Sequence, residues 1–487
     1  MNPARSAHHD RRWLILAILG IAQLMVVLDA TVVNVALPSA QKALGFSDDQ
    51  RQWIITGYSL AFGSMLLLGG KISDIFGRKW TFVGGLAGFA IASAVGGASG
   101  SFAMLTGARV LQGLFGALLA PAALSLLTTT FVDAKERGRA FGIFGAIAGS
   151  GASVGLLLGG VLTEVLDWRA VMYVNLLLAV VAGAGGIALL RNEAAERKQR
   201  IDLAGTLTVS GGLFALVFGL SNAQTHSWSD PLTIAMLAAA GVLLALFVWI
   251  QARVRNPLLP LRVVADRNRA ASLLSIAFAS VSMFGAFLFV TYYLQQNLGY
   301  SPIMTGVAFL PMTVVVMLSG TLATTKLAPR FGPRVLVSTG MAIGALAMLY
   351  LTGLGVHSSY ATAILPVLLA LGVALGLVFA PAMNNGTLGV APEDAGVASA
   401  SVNTSQQVGG AVGTALLSTL AASATTGFLA GSAATPAAQA AAAVHGYTTA
   451  FGWSAALFAA GAVVAAALYK RGVPEVAPGA EPAAALH

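Results

Sequence analysis

Asp29 lies sixteen residues into the apolar run Trp13–Leu37, and it is the one acidic side chain clearly inside hydrocarbon in this sequence. An ionised carboxylate near a bilayer centre costs at least about 2.5–3.5 kcal/mol on insertion scales, so such a residue marks an ion or proton pathway by default. The alternative is a carboxyl that only ties its helix to a neighbour. Arg109, in the run Phe102–Leu127, is the one basic residue inside a span. At the helical rise, Asp29 lies about 12 Å and Arg109 about 10 Å below the outer ends of their spans, so the two can meet. Tyr58 enters from the same side to a depth of about 8 Å. A neighbouring cation and burial act on a carboxyl in opposite senses, and the sequence leaves that balance open.

The elements that must position these groups are transmembrane helices. The chain has 487 residues, 57% of them hydrophobic and 9% charged, with mean hydropathy +0.81. That is far outside the range of soluble globular proteins. A helix needs about 20 apolar residues to cross a bilayer, and fourteen runs qualify, from Trp13–Leu37 to Tyr447–Tyr469. With the N-terminus inside, 23 of the 27 Lys and Arg residues fall in inside segments. Only Lys42, Arg51 and Arg169 fall outside, which places both termini in the cytoplasm of a plasma (inner) membrane protein. Basic residues spread through short loops, Arg137 among them, read as topology signals, and they argue against nucleic acid as a partner.

The sequence has no Cys, and its six His residues fall in tails or loops, so it offers neither a disulfide nor a metal site. The basic start followed directly by a full-length span is no cleaved signal peptide. The Pro/Ala-rich end reads as disordered. Ala421–His445 reads as a low-complexity outer stretch with no assigned function.

An internal repeat organises the runs. Lys71-x5-Gly77 recurs as Lys326-x5-Gly332, each with Phe before the Gly, and Ala120-Pro121-Ala122 recurs as Ala380-Pro381-Ala382. Gly138 pairs with Gly396 and Gly155 with Gly413, all at offsets of 255 to 260. The expected organisation is a tail at 1–12, six-helix bundles at 13–190 and 265–470, a two-helix insert at 200–255 and a tail at 471–487. Parallel six-span repeats with a site at their interface suit a transporter whose halves rock about a midplane cavity. A channel would need a filter of repeated polar groups, and none is evident.

Three patterns coincide with this topology: LDATVVNVALP at Leu28–Pro38, GGKISDIFGRKW at Gly69–Trp80 and LTGARVLQGLFGALLAP at Leu105–Pro121. Together they resemble the major facilitator superfamily, specifically its fourteen-span drug:proton antiporters, over essentially the whole chain. The resemblance implies an all-α fold of two six-helix bundles plus two inserted helices, with Asp29 and Arg109 in proton coupling. It also implies a cytoplasmic gate at Gly70, Asp74, Gly77, Arg78 and Lys79 that stabilises the outward-open state. Glycine permits tight turns and close approach there, and the three charged residues can pair at a helix terminus. In the second copy Pro329 stands at the position of Asp74.

GAIAGSGASVGLLLGG, with Gly151, Gly155, Gly159 and Gly160, resembles the antiporter motif of the fifth helix, although Leu156 replaces the family's proline. Small residues on one face let helices approach closely. Candidate residues lining a substrate cavity are Asn34, Tyr58, Gln112, Phe287, Tyr292 and Gln295. A large apolar cavity with a few polar groups suits a lipophilic ligand.

One enzyme-like pattern occurs, G-x-S-x-G at Gly151–Gly155, but a nucleophile elbow needs a strand-to-helix turn and a His in reach. No zinc-protease or P-loop motif is present, so no cofactor is expected and energy must come from a proton gradient. The expected function is proton-coupled export of lipophilic, possibly cationic, drugs or antibiotics. Export of one metabolite, such as a self-made antibiotic, an amino acid or a sugar, is the alternative. A non-transporting membrane receptor on the same fold is a third reading.

Overall fold

The computed structural model describes residues 3–46, 48–131, 133–191, 202–430 and 435–472. In hydrocarbon every backbone N–H and C=O must be satisfied within the chain, which leaves helices as the solution for isolated apolar runs. Among the described residues the structure is accordingly helical throughout. The helices are α1 (Pro3–Leu44), α2 (Asp48–Phe76), α3 (Arg78–Gly97), α4 (Phe102–Thr130) and α5 (Ala134–Val165). They continue with α6 (Ala170–Leu189), α7 (Leu203–Thr225), α8 (Pro231–Gln251), the short α9 (Leu261–Ala265) and α10 (Arg267–Tyr292). Last come α11 (Pro302–Leu322), α12 (Ala328–Leu351), α13 (Leu365–Thr387), α14 (Ala395–Ala430) and α15 (Pro436–Leu468).

Helix starts carry oxygen caps where sequence supplies them. Ser101 accepts from the Met104 N–H, Asp202 from Gly205, Asp266 from Arg269 and Ser301 from Met304. Each cap satisfies one of the donors that a helix start leaves without an intrahelical partner. The repeat found in the sequence has a conformational cause. Gly77, between α2 and α3, has φ +92°, and Gly332, inside α12, has φ +72°. Both are left-handed positions that a side chain disfavours.

Twelve helical stretches among the described residues are long and apolar enough to cross a membrane. One of them, Ile303–Leu351, is 49 residues long and contains both α11 and α12, while α5 is not among the twelve. One expectation about loops is corrected: most of the outer stretch Ala421–His445 is helix, because α14 runs to Ala430 and α15 begins at Pro436, while α1 extends the first span back to Pro3. Alanine-rich sequence has the highest intrinsic helix propensity, which its low complexity obscured. The C-terminal tail beyond residue 472, the start of the insert at 200–201 and the basic residues Arg197, Lys198 and Arg200 lie outside the described residues.

Helix neighbours repeat. α1 packs on α5 and α6, α2 and α3 on α4, and α3 on α6. In the same relation, α10 packs on α14 and α15, α11 and α12 on α13, and α12 on α15. Two seams join these groups, α5 with α11 and α14 with α2. α7 lies against α2 and α14, whereas the extensive neighbour of α8 is α7. The other faces of α8 expose Leu232, Ile234, Val242, Val248 and Trp249, the surface expected against lipid.

Candidate functional site

Asp29 is 1% exposed and accepts hydrogen bonds on both oxygens. Arg109 Nη1 on α4 donates to Oδ2 at 2.5 Å. Gln112 Nε2, one helical turn further on, donates to Oδ1 at 3.1 Å, and Asn175 Nδ2 on α6 donates to the same oxygen at 2.8 Å. Arg109 Nη1 also donates to Gln112 Oε1 at 2.8 Å, and Gln112 Nε2 donates to Ser93 Oγ on α3 at 2.7 Å. The guanidinium lies 4.2 Å over the Tyr58 ring of α2, a cation–π contact that strengthens when desolvated. One carboxylate thus gathers side chains from α1, α2, α3, α4 and α6.

Paired, hydrogen-bonded charges are the form in which ions are tolerated away from water. Arg109 Nε has no partner among the described residues. Asn175 and Ser93 were not anticipated as members of the cluster. The depth signal was available: the helical rise puts Asn175 about 8 Å and Ser93 about 6 Å below the outer ends of their spans.

The glycines of α5 serve this cluster indirectly. Gly151 faces Val27, Gly155 faces Thr31 and Gly159 faces Val32, so the stripe seats α5 on the stretch of α1 that carries Asp29. Gly160 departs from the stripe and faces Ile303 at the start of α11. Gly155 and its repeat mate Gly413 stand at matching helix pairs, Gly155 against the Thr31 side chain of α1 and Gly413 against the Val281 backbone of α10.

At the face bearing the N-terminus, Asp74 Oδ1 accepts from the Gly396 N–H at 2.9 Å and Oδ2 from the Val397 N–H at 3.3 Å. The terminus that Asp74 occupies is therefore the start of α14, and the contact crosses the α2–α14 seam. A carboxylate is favoured there by unpaired N–H groups and the helix dipole. Lys71 and Arg78 are the cations whose fields reach Asp74.

Lys79 is not part of this latch. Its Nζ donates to the Ile187 carbonyl at 2.8 Å, in the last turn of α6, where the dipole favours a cation. Arg137, expected only as a topology signal, is buried and donates across to α13, to Asn384 Oδ1 at 2.8 Å and Thr387 Oγ1 at 3.0 Å. Burial pushes its guanidinium down to about 10, so it stays charged at neutral pH. Arg262 pairs with Asp394 at 2.8 Å on the same face.

The six proposed cavity residues are not brought together as one group. Tyr58 and Gln112 belong to the Asp29 cluster. Phe287, on α10, stacks on Phe309 with ring centroids 5.0 Å apart, beside a narrow apolar recess with Met283, Met312 and Leu371. Tyr292 is 38% exposed beside Phe289 and Tyr447, and Gln295 sits half-buried in the wide turn that follows α10. The side chain of Asn34 lies outside the described residues.

Comparison with known proteins follows the same lines. The family model for the Major Facilitator Superfamily matches residues 19–414, and the chain belongs to that family. It is 47% identical over 457 residues to the puromycin resistance protein pur8 of Streptomyces alboniger, covering 93% of this chain and 91% of the relative. It is 38% identical to the cephamycin export protein CmcT of Amycolatopsis lactamdurans, over 83% of this chain and 84% of that one. The multidrug resistance protein Stp of Mycobacterium tuberculosis is 32% identical over 82% of this chain and 74% of its own length. The crystal structure of the human organic anion transporter MFSD10 (TETRAN) superposes with a TM-score of 0.61 over 96% of this chain and 100% of that one, at 16% identity. That likeness is one of fold.

Proposed function

We propose that this protein is a proton-coupled exporter of drug-like molecules or antibiotics that works by alternating access. Its moving parts are the bundles 13–190 and 265–470, with 200–255 as a peripheral insert, fourteen spans in all and both termini in the cytoplasm. The observation that carries this reading is the buried Asp29–Arg109 pair, held from three further helices. The pair supplies a proton-binding carboxylate and a counter-ion that responds when the proton arrives. Gln112 both accepts from Arg109 and donates to Asp29, so it keeps hold of the guanidinium when protonation of Asp29 weakens the ion pair. Arg109 Nε then stands as a donor for water or substrate.

Fourteen spans are favoured by two features: the 49-residue stretch holding α11 and α12, which Gly332 breaks, and the 32 residues of α5. The charge distribution favours the cytoplasmic placement of the face bearing the N-terminus. The names of the relatives favour antibiotics as cargo. Two of them are named for a single antibiotic each, which favours a narrow cargo over a broad panel.

The test is purified protein in proteoliposomes, with substrates loaded from a chemical panel and an imposed pH step. Wild type should move a subset of lipophilic compounds against their gradient, and Asp29→Asn should bind them without pH-driven accumulation. Accumulation by Asp29→Asn equal to wild type would sink the coupling assignment.

A further inference from the structure

Asn175 of α6 is 1% exposed and uses only half of its amide. Nδ2 donates to Asp29 Oδ1 at 2.8 Å, while the amide oxygen, Oδ1, is buried without a hydrogen-bond partner. A buried acceptor left unpaired is costly and uncommon, so each instance asks for a reason. The ordinary role, a tie between α1 and α6, needs the N–H side alone and leaves the oxygen unexplained.

The surroundings of Asp29 supply the reason. Arg109, Gln112 and Asn175 bond to its carboxylate, and all three act as donors. That set suits an ionised carboxylate, which only accepts. A protonated Asp29 carries an O–H and needs an acceptor in the same place. Arg109 has none to offer, because a guanidinium only donates. Gln112 is held in one orientation: Oε1 accepts from Arg109 at 2.8 Å, and Nε2 donates to Ser93 Oγ at 2.7 Å as well as to Asp29. Turning that amide over would set its N–H groups against the guanidinium, donor against donor. No such bond locks Asn175. The torsion that carries its amide is broad and roughly two-fold, so the group can turn over and bring its oxygen to Asp29. Among the described residues the other elements packed on α1 add no further charge here. α5 presents Gly151, Gly155 and Gly159, and α2 presents Tyr58, whose ring lies under the Arg109 guanidinium.

Resting on the proton-coupling reading above, we propose that Asn175 is the positioning residue that accepts from Asp29 once Asp29 is protonated. The proton adds to Asp29 Oδ1 and cancels the carboxylate charge. The amide of Asn175 turns, and the new O–H donates to its oxygen. The Arg109 charge stays with Gln112 Oε1 and the Tyr58 ring. Loss of the proton reverses the turn, and Nδ2 donates again. Asn175 thereby keeps α6 bonded to α1 in both protonation states.

The experiment is pH-difference infrared spectroscopy of the full chain in lipid nanodiscs, with asparagine isotope-labelled at its side-chain carbonyl, and it needs no cargo. A carboxylic C=O band that is absent from Asp29→Asn marks protonation of Asp29. In wild type a labelled amide band should change together with it, because the oxygen gains a donor, and Asn175→Leu should lack that change. In Asn175→Leu the acid loses its acceptor while the carboxylate keeps Arg109 and Gln112 as donors, so the protonated form suffers more. The Asp29 band should be displaced and should appear only in solution about one pH unit more acid. A merely structural tie would lower the thermal unfolding midpoint of Asn175→Leu and leave the band and its pH dependence as in wild type, and that result overturns the proposal. If Asn175→Leu fails to fold, the smaller Asn175→Val, equally unable to accept, should give the same displacement. The absence of any band that distinguishes wild type from Asp29→Asn overturns the coupling reading and this proposal together, whereas a normal Asp29 band indifferent to Asn175 overturns this proposal alone.

Discussion

Gly70 of α2 and Gly396 of α14 meet backbone to backbone across the seam between the two halves. A Cβ on Gly70 would stand 2.5 Å from the Gly396 carbonyl oxygen and 2.7 Å from the Ala400 side chain. No real side chain tolerates that distance, so the pair fixes how closely α2 approaches the start of α14. This approach puts the Asp74 carboxylate within reach of the first free N–H groups of α14. The latch is a charge on a helix terminus, set by glycine, and it exists on one seam because Pro329 cannot supply it on the other.

Asp74→Asn keeps the shape and removes the charge. A carboxylate at a helix N-terminus contributes typically 0.3–1 kcal/mol, rising to about 2 kcal/mol when partly buried. A loss near the upper value shifts a two-state population by about tenfold or more. The chain has no cysteine, so pairs introduced on the two sides of the seam can be spin-labelled uniquely. Their separation should widen and export should slow in the variant, with insertion unchanged. Unaltered separations and rates would leave the loop as a topological signal only.

Gly396→Ala tests the geometric half of the same device. The added methyl would collide with the Gly70 carbonyl and the Asp74 carboxylate, so the seam must open or the helix must shift. Export should drop at least as far as in Asp74→Asn. Gly183→Ala on α6, where an added Cβ meets nothing within 4 Å, should behave as wild type in the same assay. Equal activity of the two glycine variants would mean that the seam relaxes freely.

Much of this was legible in the sequence where one residue type answers one physical demand. Gly77 and Gly332 recur because both turns need a positive φ, and Gly155 and Gly413 recur because each lets its helix seat tightly, on α1 and on α10. Asp29 and Arg109 could be matched by depth alone. What stayed hidden depends on which chain end arrives opposite. The donors to Asp74 lie more than 300 residues away, and Lys79 turns to α6 because that helix ends within its reach. Arg137 looked like any positive-inside charge until α13 supplied Asn384 and Thr387.

Arg137→Ala should accordingly be more damaging than a change at an exposed arginine of the same face. Removal takes away two hydrogen bonds from a charged donor, each worth about 1.5–3 kcal/mol, and leaves the Asn384 and Thr387 oxygens short of a partner. Arg255→Ala, at an exposed position, should lie within about 0.5 kcal/mol of wild type. Thermal unfolding midpoints and export rates of the two purified variants decide the matter. If Arg137→Ala matches Arg255→Ala in both, the α5–α13 contact carries no weight.

The Asp29–Arg109 pair calls for a double-variant design, because single removals confuse folding with chemistry. Arg109→Ala leaves a buried carboxylate without its counter-ion, a change that typically costs about 3–5 kcal/mol, so yield and stability should fall sharply. Asp29→Asn alone leaves the guanidinium with Gln112 Oε1 as acceptor and the Tyr58 ring beneath it, and it should be milder. Combining Asp29→Asn with Arg109→Gln removes both charges at once and keeps amide groups that can bond to Gln112 and Asn175. The double variant should therefore recover much of the stability lost in Arg109→Ala, yet show no pH-driven accumulation of substrate. Recovery of folding without recovery of transport separates the structural cost of the pair from its role with the proton. A double variant that still exports in response to a pH step would overturn the proton-coupling role proposed for the pair.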